Sequence, residues 1–159
     1  MALAGLSTLG ITFGYGVETV AGEKPATFKQ LTRINSIGGI TIETEQIDAS
    51  ALEDFISKNI QGRGDTGGTF AVGVNLTPET MEEWETVISA YNTAKESGLR
   101  MWFQTIIPGF EKADFVVAQV PPKIPSPEKS QNELLVVEMN LTIEDYIGMD
   151  EKVAFATGA

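Results

Sequence analysis

The sequence predicts a mainly β domain of the α+β kind, a β-sandwich or barrel with one flanking α-helix. Three observations carry this expectation. Apolar and polar side chains alternate in several separate segments, the period of two that marks half-buried strands. One stretch, 77–98, has both ends of a helix written into it. The 159 residues hold no internal repeat or linker, so one domain is expected to span 1–159.

Taken in order, the early glycines at 5, 10, 14, 16 and 22 suit turns and an adaptable chain, and residues 1–33 are expected to form a flexible N-terminal arm. From Gly39 the pattern sharpens into a strand, with Ile40, Ile42 and Thr44 on one face and Thr41, Glu43 and Glu45 on the other. In "SALEDFISKNIQG" Ser50 and Glu53 have capping-box spacing, and Leu52, Phe55, Ile56 and Ile60 share a helical stripe. A short helix, or a loop with helical turns, is expected there. "QGRGDTGGTF" then reads as a glycine turn opening a strand in which Phe70, Val72, Val74 and Leu76 point one way.

Thr77 can cap the helix that follows, Pro78 suits its first position and Gly98 can close its end in a left-handed conformation. Met81, Trp84, Ile88 and Tyr91 form its apolar stripe, and four glutamates crowd its N-terminal half, where the helix dipole favours anions. "LRMWFQTII" and "DFVVAQV" are further strands. "PPKIPSPEKSQNE" holds four prolines, which donate nothing to a ladder, so 121–133 is an exposed loop. "LLVVEMNLTI" alternates again, with Leu135, Val137, Met139, Leu141 and Ile143 opposite Val136, Glu138, Asn140 and Thr142. The tail beyond Tyr146 is expected to be loose.

Composition narrows the function. There is no cysteine, which removes disulfides, thiol chemistry and thiolate metal sites, and no histidine, the commonest general base and metal ligand. No apolar run approaches the ~20 residues of a membrane span. No Lys or Arg precedes Lys24, so the basic region of a secretory signal is missing and Sec-type export is not expected. The net charge of −11 repels phosphate backbones, which argues against a nucleic-acid ligand, yet such repulsion suits a wall that a polyanion must pass without sticking.

The motifs each have a plainer reading. Arg63-Gly64-Asp65 matches the tripeptide of integrin ligands, but turns ordinarily use glycines beside an aspartate. Asn75-Leu76-Thr77 and Asn140-Leu141-Thr142 match the glycosylation pattern by chance within or beside strands. Carboxylate pairs such as Glu43 with Glu45 and Glu144 with Asp145 lie in no diagnostic loop, and no EF-hand, Walker loop or nucleophile elbow is present. No catalytic residue, metal site or cofactor is therefore expected, and the chain is read as a non-enzyme. Trp84, Tyr91, Trp102 and Phe103 could line a sugar-binding cleft, although three of them fall on core-facing positions. Strands with polar outer faces, as at Asn140 and Thr142, leave edges that invite pairing with another chain.

The layout of "INSIGGITIETEQIDASALEDFISKNIQGRGDTGGTFAVGVNLTPETMEEW", followed by the strand–helix–strand unit of 69–107 and "FVVAQVPPKIPSPEKSQNELLVVEMNLTI", resembles the major tail tube proteins of long-tailed bacteriophages and prophages of Gram-positive bacteria. The likeness covers about 34–143 and lies in the order of elements rather than in an invariant motif.

The resemblance implies a sandwich that closes into hexameric rings, which stack into a hollow tube conducting DNA without specific binding. Its partners would be copies of itself, a tape-measure protein, a tail terminator and baseplate or tail-tip proteins. Its place would be the virion tail, assembled in the host cytoplasm, with no membrane contact. In such proteins the long loop corresponding to 48–68 packs on neighbouring subunits, which makes Leu52, Phe55, Ile56 and Ile60 candidates for the subunit interface. Glu43, Glu45, Glu138 and Asn140, on polar strand faces, are candidates for the lumen. A small carbohydrate-binding module and a carboxylate-only hydrolase are the competing readings.

Overall fold

The computed structural model describes residues 10–156 apart from 54, 66, 128, 130 and 132. Its elements run β1 (Thr12–Val17), β2 (Lys29–Leu31), β3 (Ile34–Ile37), β4 (Glu43–Asp48), β5 (Asn59–Asp65), β6 (Thr69–Asn75), α1 (Pro78–Glu96), β7 (Met101–Ile106), β8 (Lys112–Gln119) and β9 (Val136–Glu151). Seven strands form one antiparallel sheet in the order β2-β1-β7-β8-β9-β6-β3, and β4 pairs with β5 in a separate hairpin. The mainly β expectation with one flanking helix agrees with this architecture.

Chain connectivity forces the sheet to roll. Its two end strands, β2 and β3, are separated in sequence only by Thr32 and Arg33. A flat sheet would hold them ~29 Å apart, six strand spacings, whereas the link from Leu31 to Ile34 reaches at most ~11 Å. The ends must therefore come together. The interior of the roll is one apolar cluster drawn from both halves of the sheet, including Phe13, Leu31, Phe70, Val72, Phe103, Val116, Met139 and Leu141. Phe13 and Phe103 stack with ring centres 5.5 Å apart.

Helix α1 closes onto this cluster through Trp84 and Val87. Thr77 caps it as the sequence implies, but the capping box is completed by Thr80: the Thr80 amide donates to Thr77 Oγ1 at 3.2 Å and the Thr77 amide to Thr80 Oγ1 at 2.8 Å. The buried residues of the helix are Thr80, Trp84, Val87 and Ala94. Trp84, Ile88 and Tyr91 of the expected stripe thus face the cluster, joined by Thr80, Val87 and Ala94, whereas Met81 is exposed. Glu83 fixes the helix to the β2–β3 link, taking the Thr32 amide at 2.9 Å and the Thr32 hydroxyl at 2.5 Å.

A second core covers the outside of β7 and β8. Phe28, Trp102, Ala113, Phe115 and Val117 are buried there, with Val153 and Phe155 packed against them. Both faces of β7 are consequently buried, which simple alternation does not anticipate. Gln104 ties the C-terminal segment to β7, its amide nitrogen donating to Val153 O and its amide oxygen accepting from Val153 N, each at 2.8 Å. Glu18, almost wholly buried, accepts from the Arg100 amide at 2.8 Å and from Trp102 Nε1 at 2.9 Å, and pairs with Arg100 Nη2 at 3.2 Å. Burial pushes its carboxyl up, but bonds from Trp102, Arg100 and the Gly22 backbone outweigh that and leave it below the usual glutamate value.

Four expectations are corrected. The flexible arm expected over 1–33 is not what 10–33 form, and 1–9 lie outside the described residues. Thr12–Val17 is a largely buried strand between β2 and β7, and Phe28 and Leu31 are core residues. The tail beyond Tyr146 is not loose over its described residues, 147–156, because β9 runs to Glu151 opposite Lys112 and the Ala156 amide donates to Phe28 O at 2.8 Å. Leu52, Phe55, Ile56 and Ile60 form no helix. Ser50 Oγ accepts the Lys58 amide at 2.7 Å instead of capping one, and Asn59–Asp65 is a strand. Arg63-Gly64-Asp65 accordingly lies in β5, opposite β4, and the turn sits at Gly67 and Gly68, whose φ values of 83° and 86° favour glycine.

Candidate functional site

The hairpin β4–β5 extends the β3–β6 pair beyond the rolled sheet. β3 leads into β4, and β5 leads back into β6 through Gly67 and Gly68. Register across it sets Glu43 opposite Asp65, Thr44 opposite Gly64 and Ile47 opposite Ile60, with a bulge between Thr44 and Gln46. Almost every side chain of both strands is exposed. At the tip the Asp48 carboxylate accepts the Ser50 amide at 2.9 Å, which holds it below the usual aspartate value.

The four interface candidates all fall here. Leu52 and Phe55 are 107% and 105% exposed, and Ile56 and Ile60 are exposed as well, joined by Ile42 and Ile47 on β4 and its approach. Six large apolar side chains on one protruding hairpin differ from the scattered single residues that ordinary surfaces carry. A two-stranded hairpin is marginal by itself in water, and among the described residues nothing covers this one as the rolled sheet is covered.

The lumen candidates separate into two places. Glu43 and Glu45 lie on β4, where with Arg63 and Asp65 they line a cleft of about 430 Å³. Glu138 and Asn140 lie on β9, exposed, opposite Gly73 and Ala71 of β6. The two pairs belong to different sheets. The outer face of β6 and the first half of β9 carries Ala71, Gly73, Glu138 and Asn140, without the aromatic cover that β7 and β8 have.

Beyond Ile143, whose amide donates to Gly68 O at 2.7 Å, the strand β9 is paired only with β8, because β6 begins at Thr69. Its other edge, along Glu144–Glu151, has no strand partner among the described residues. The sheet therefore forks at Gly67 and Gly68, with β5 on one prong and the second half of β9 on the other. Sequence reasoning missed this edge because the residues after Tyr146 lose their alternation at Gly148, whose φ is 86°.

Other chemistry finds little support in the geometry. Trp84, Trp102 and Phe103 are buried and Tyr91 is half-buried, so the aromatic residues do not assemble into an open sugar cleft. Among the described residues no group of three or more acidic side chains is placed to hold a metal ion, and no helix is long and apolar enough to cross a membrane.

No protein-family model matches the chain, and no curated protein matches it. Among solved structures it is similar to a chain of the anti-feeding prophage (AFP) baseplate, determined by cryo-EM and 6-fold symmetrised. The identity is 11% over 94% of this chain and 96% of that one, with a TM-score of 0.47, a likeness too distant to carry an argument.

Proposed function

We propose that this protein is a structural subunit of a phage-type tail that assembles with copies of itself into stacked hexameric rings, forming a tube through which DNA passes. The observation that carries the reading is the β4–β5 hairpin, whose Leu52, Phe55, Ile56 and Ile60 are exposed on a protrusion with no cover among the described residues. A protruding apolar patch on one surface and an open strand edge on another make a heterologous contact, the kind that generates rings when the rotation closes. The sequence layout that resembles tail tube proteins points to the same assembly.

The excess of negative charge supports a conduit role. With 22 acidic against 11 basic residues, an inner wall bearing Glu43, Glu45, Glu138 and Asn140 would keep a phosphate backbone off its surface. In this reading the protein has no catalytic role, its other partners are tape-measure, terminator and tail-tip proteins, and its place is the virion, after assembly in the host cytoplasm.

Negative-stain microscopy and light scattering of concentrated protein test the proposal. Rings or filaments are expected, and Leu52→Asp with Phe55→Asp is expected to abolish them while leaving the circular dichroism spectrum of the rolled sheet intact. A wild-type protein that stays strictly monomeric at every concentration reached would overturn it.

A further inference from the structure

At one mouth of the roll, β3 faces β7 and β8 across a cavity of about 470 Å³. Ile11, Ile34 and Ile37 contribute apolar wall, Thr105 and Asp114 line it from β7 and β8, and Gly38 and Gly39, at the root of the β4–β5 hairpin, line it from the other side. Asp114 stands on the inner face of β8, in register with Thr105 and alternating with outward Ala113 and Phe115. One of its carboxylate oxygens is buried with no hydrogen-bond partner.

A carboxylate placed so is costly when ionised and cheap when protonated. The charged form has an oxygen without a donor as placed, which water entering the mouth can satisfy. The neutral form carries a hydroxyl that can turn toward the cavity's polar groups. Burial accordingly pushes its proton affinity up, more than the nearby Tyr146 hydroxyl pulls it down.

The titratable surroundings do not offset the charge. From β9, Tyr146 is the group in contact, and Glu151 lies opposite Lys112 at the strand ends. β7 presents Thr105, and the cavity wall from Ile11 and 34–39 contains no titratable side chain.

We propose that Asp114 is a pH-sensitive latch for the mouth of the roll: protonated, it lets β3 close against β7 and β8, and ionised, it keeps the mouth hydrated and loosens the root of the hairpin. The proposal is independent of any tube assembly. Because the closed state holds the proton more tightly than the open one, closure is favoured at low pH and weakens as pH rises through the raised value. The opening equilibrium changes by at most about tenfold for each pH unit separating the proton affinities of the two states.

Two NMR measurements on the whole chain test this. The side-chain carboxyl carbon of Asp114 is expected to titrate above the range of exposed aspartates. Exchange of the Gly38 amide, which donates to Ala71 O at 2.7 Å, is expected to lose protection, after correction for intrinsic rates, with the same midpoint. Asp114→Asn should make that protection independent of pH over the same window. An Asp114 that titrates normally, a Gly38 midpoint that does not coincide with it, or an unchanged pH profile in the variant would each overturn the latch. The first two readings use wild-type protein only, so they decide even if the variant fails to fold.

Discussion

The rolled sheet and the β4–β5 hairpin are made of the same kind of segment and end in opposite states. In β6, Phe70, Val72 and Val74 alternate with smaller or polar residues and are buried against strands and helix. In β4 and β5, Ile47 and Ile60 oppose one another and both stay exposed. The difference is one of cover. The roll closes on itself and gains α1, the 18–28 segment and the C-terminal residues as additional layers, while the hairpin leaves the sheet before any layer reaches it. An alternating pattern therefore says that one face is meant to be covered, without saying by what.

Two aromatic truncations, one in the roll and one on the hairpin, should differ most. Phe115, fully buried between Phe28 and Trp102, should cost about 3–5 kcal/mol on replacement by alanine, read as a lower urea midpoint. Phe55→Ala should stay within about 0.5 kcal/mol of wild type for the free subunit, since its side chain is already in water. A large loss from Phe55→Ala would show the hairpin packed on its own body and break the contrast.

Next in size is Glu18→Ala, which strands the Arg100 amide and Trp102 Nε1 beneath the 18–28 segment and should cost about 3 kcal/mol at neutral pH. Because the folded-state value of Glu18 is depressed, its contribution is present above the ordinary glutamate range and is lost as pH falls through the depressed value. Wild type and variant should thus converge in acid, and thermal melts between pH 7 and pH 3 check it.

The smallest expected effects lie in the backbone. A Cβ on Gly14 would sit 2.3 Å from the Phe155 ring and 2.5 Å from Lys29 O, so Gly14→Ala should destabilise by about 1–3 kcal/mol. At Gly39, which approaches the hairpin, a Cβ meets nothing within 4 Å, and Gly39→Ala should be neutral or stabilise by up to about 1 kcal/mol through the unfolded chain. Equal melting temperatures for the two variants would contradict this packing.

Much of the fold was legible from local patterns. Thr77, Pro78 and Gly98 mark α1 because capping and left-handed closure depend on residues within one turn. β6 and the first half of β9 were readable because one face is buried and the other is wet. β1 was not, because its glycines, which suggest an adaptable arm, are there to let Phe155 and Phe28 approach the strand closely. The stripe of Leu52, Phe55, Ile56 and Ile60 misled in the same manner, since a spacing compatible with a helix also fits an exposed loop leading into a strand.

What the sequence determined unaided is the set of local choices: strand or helix by period, helix ends by cap chemistry, an acidic surface by composition, and the absence of thiol and imidazole chemistry by omission. Those depend on residues a few positions apart or on composition alone. Only the tertiary structure decided that two end strands joined by Thr32 and Arg33 must meet, that β7 is buried on both faces, that Asp114 looks into a cavity, and that one hairpin is left bare. These follow from chain closure and from which distant segments reach a surface, and no local period encodes either.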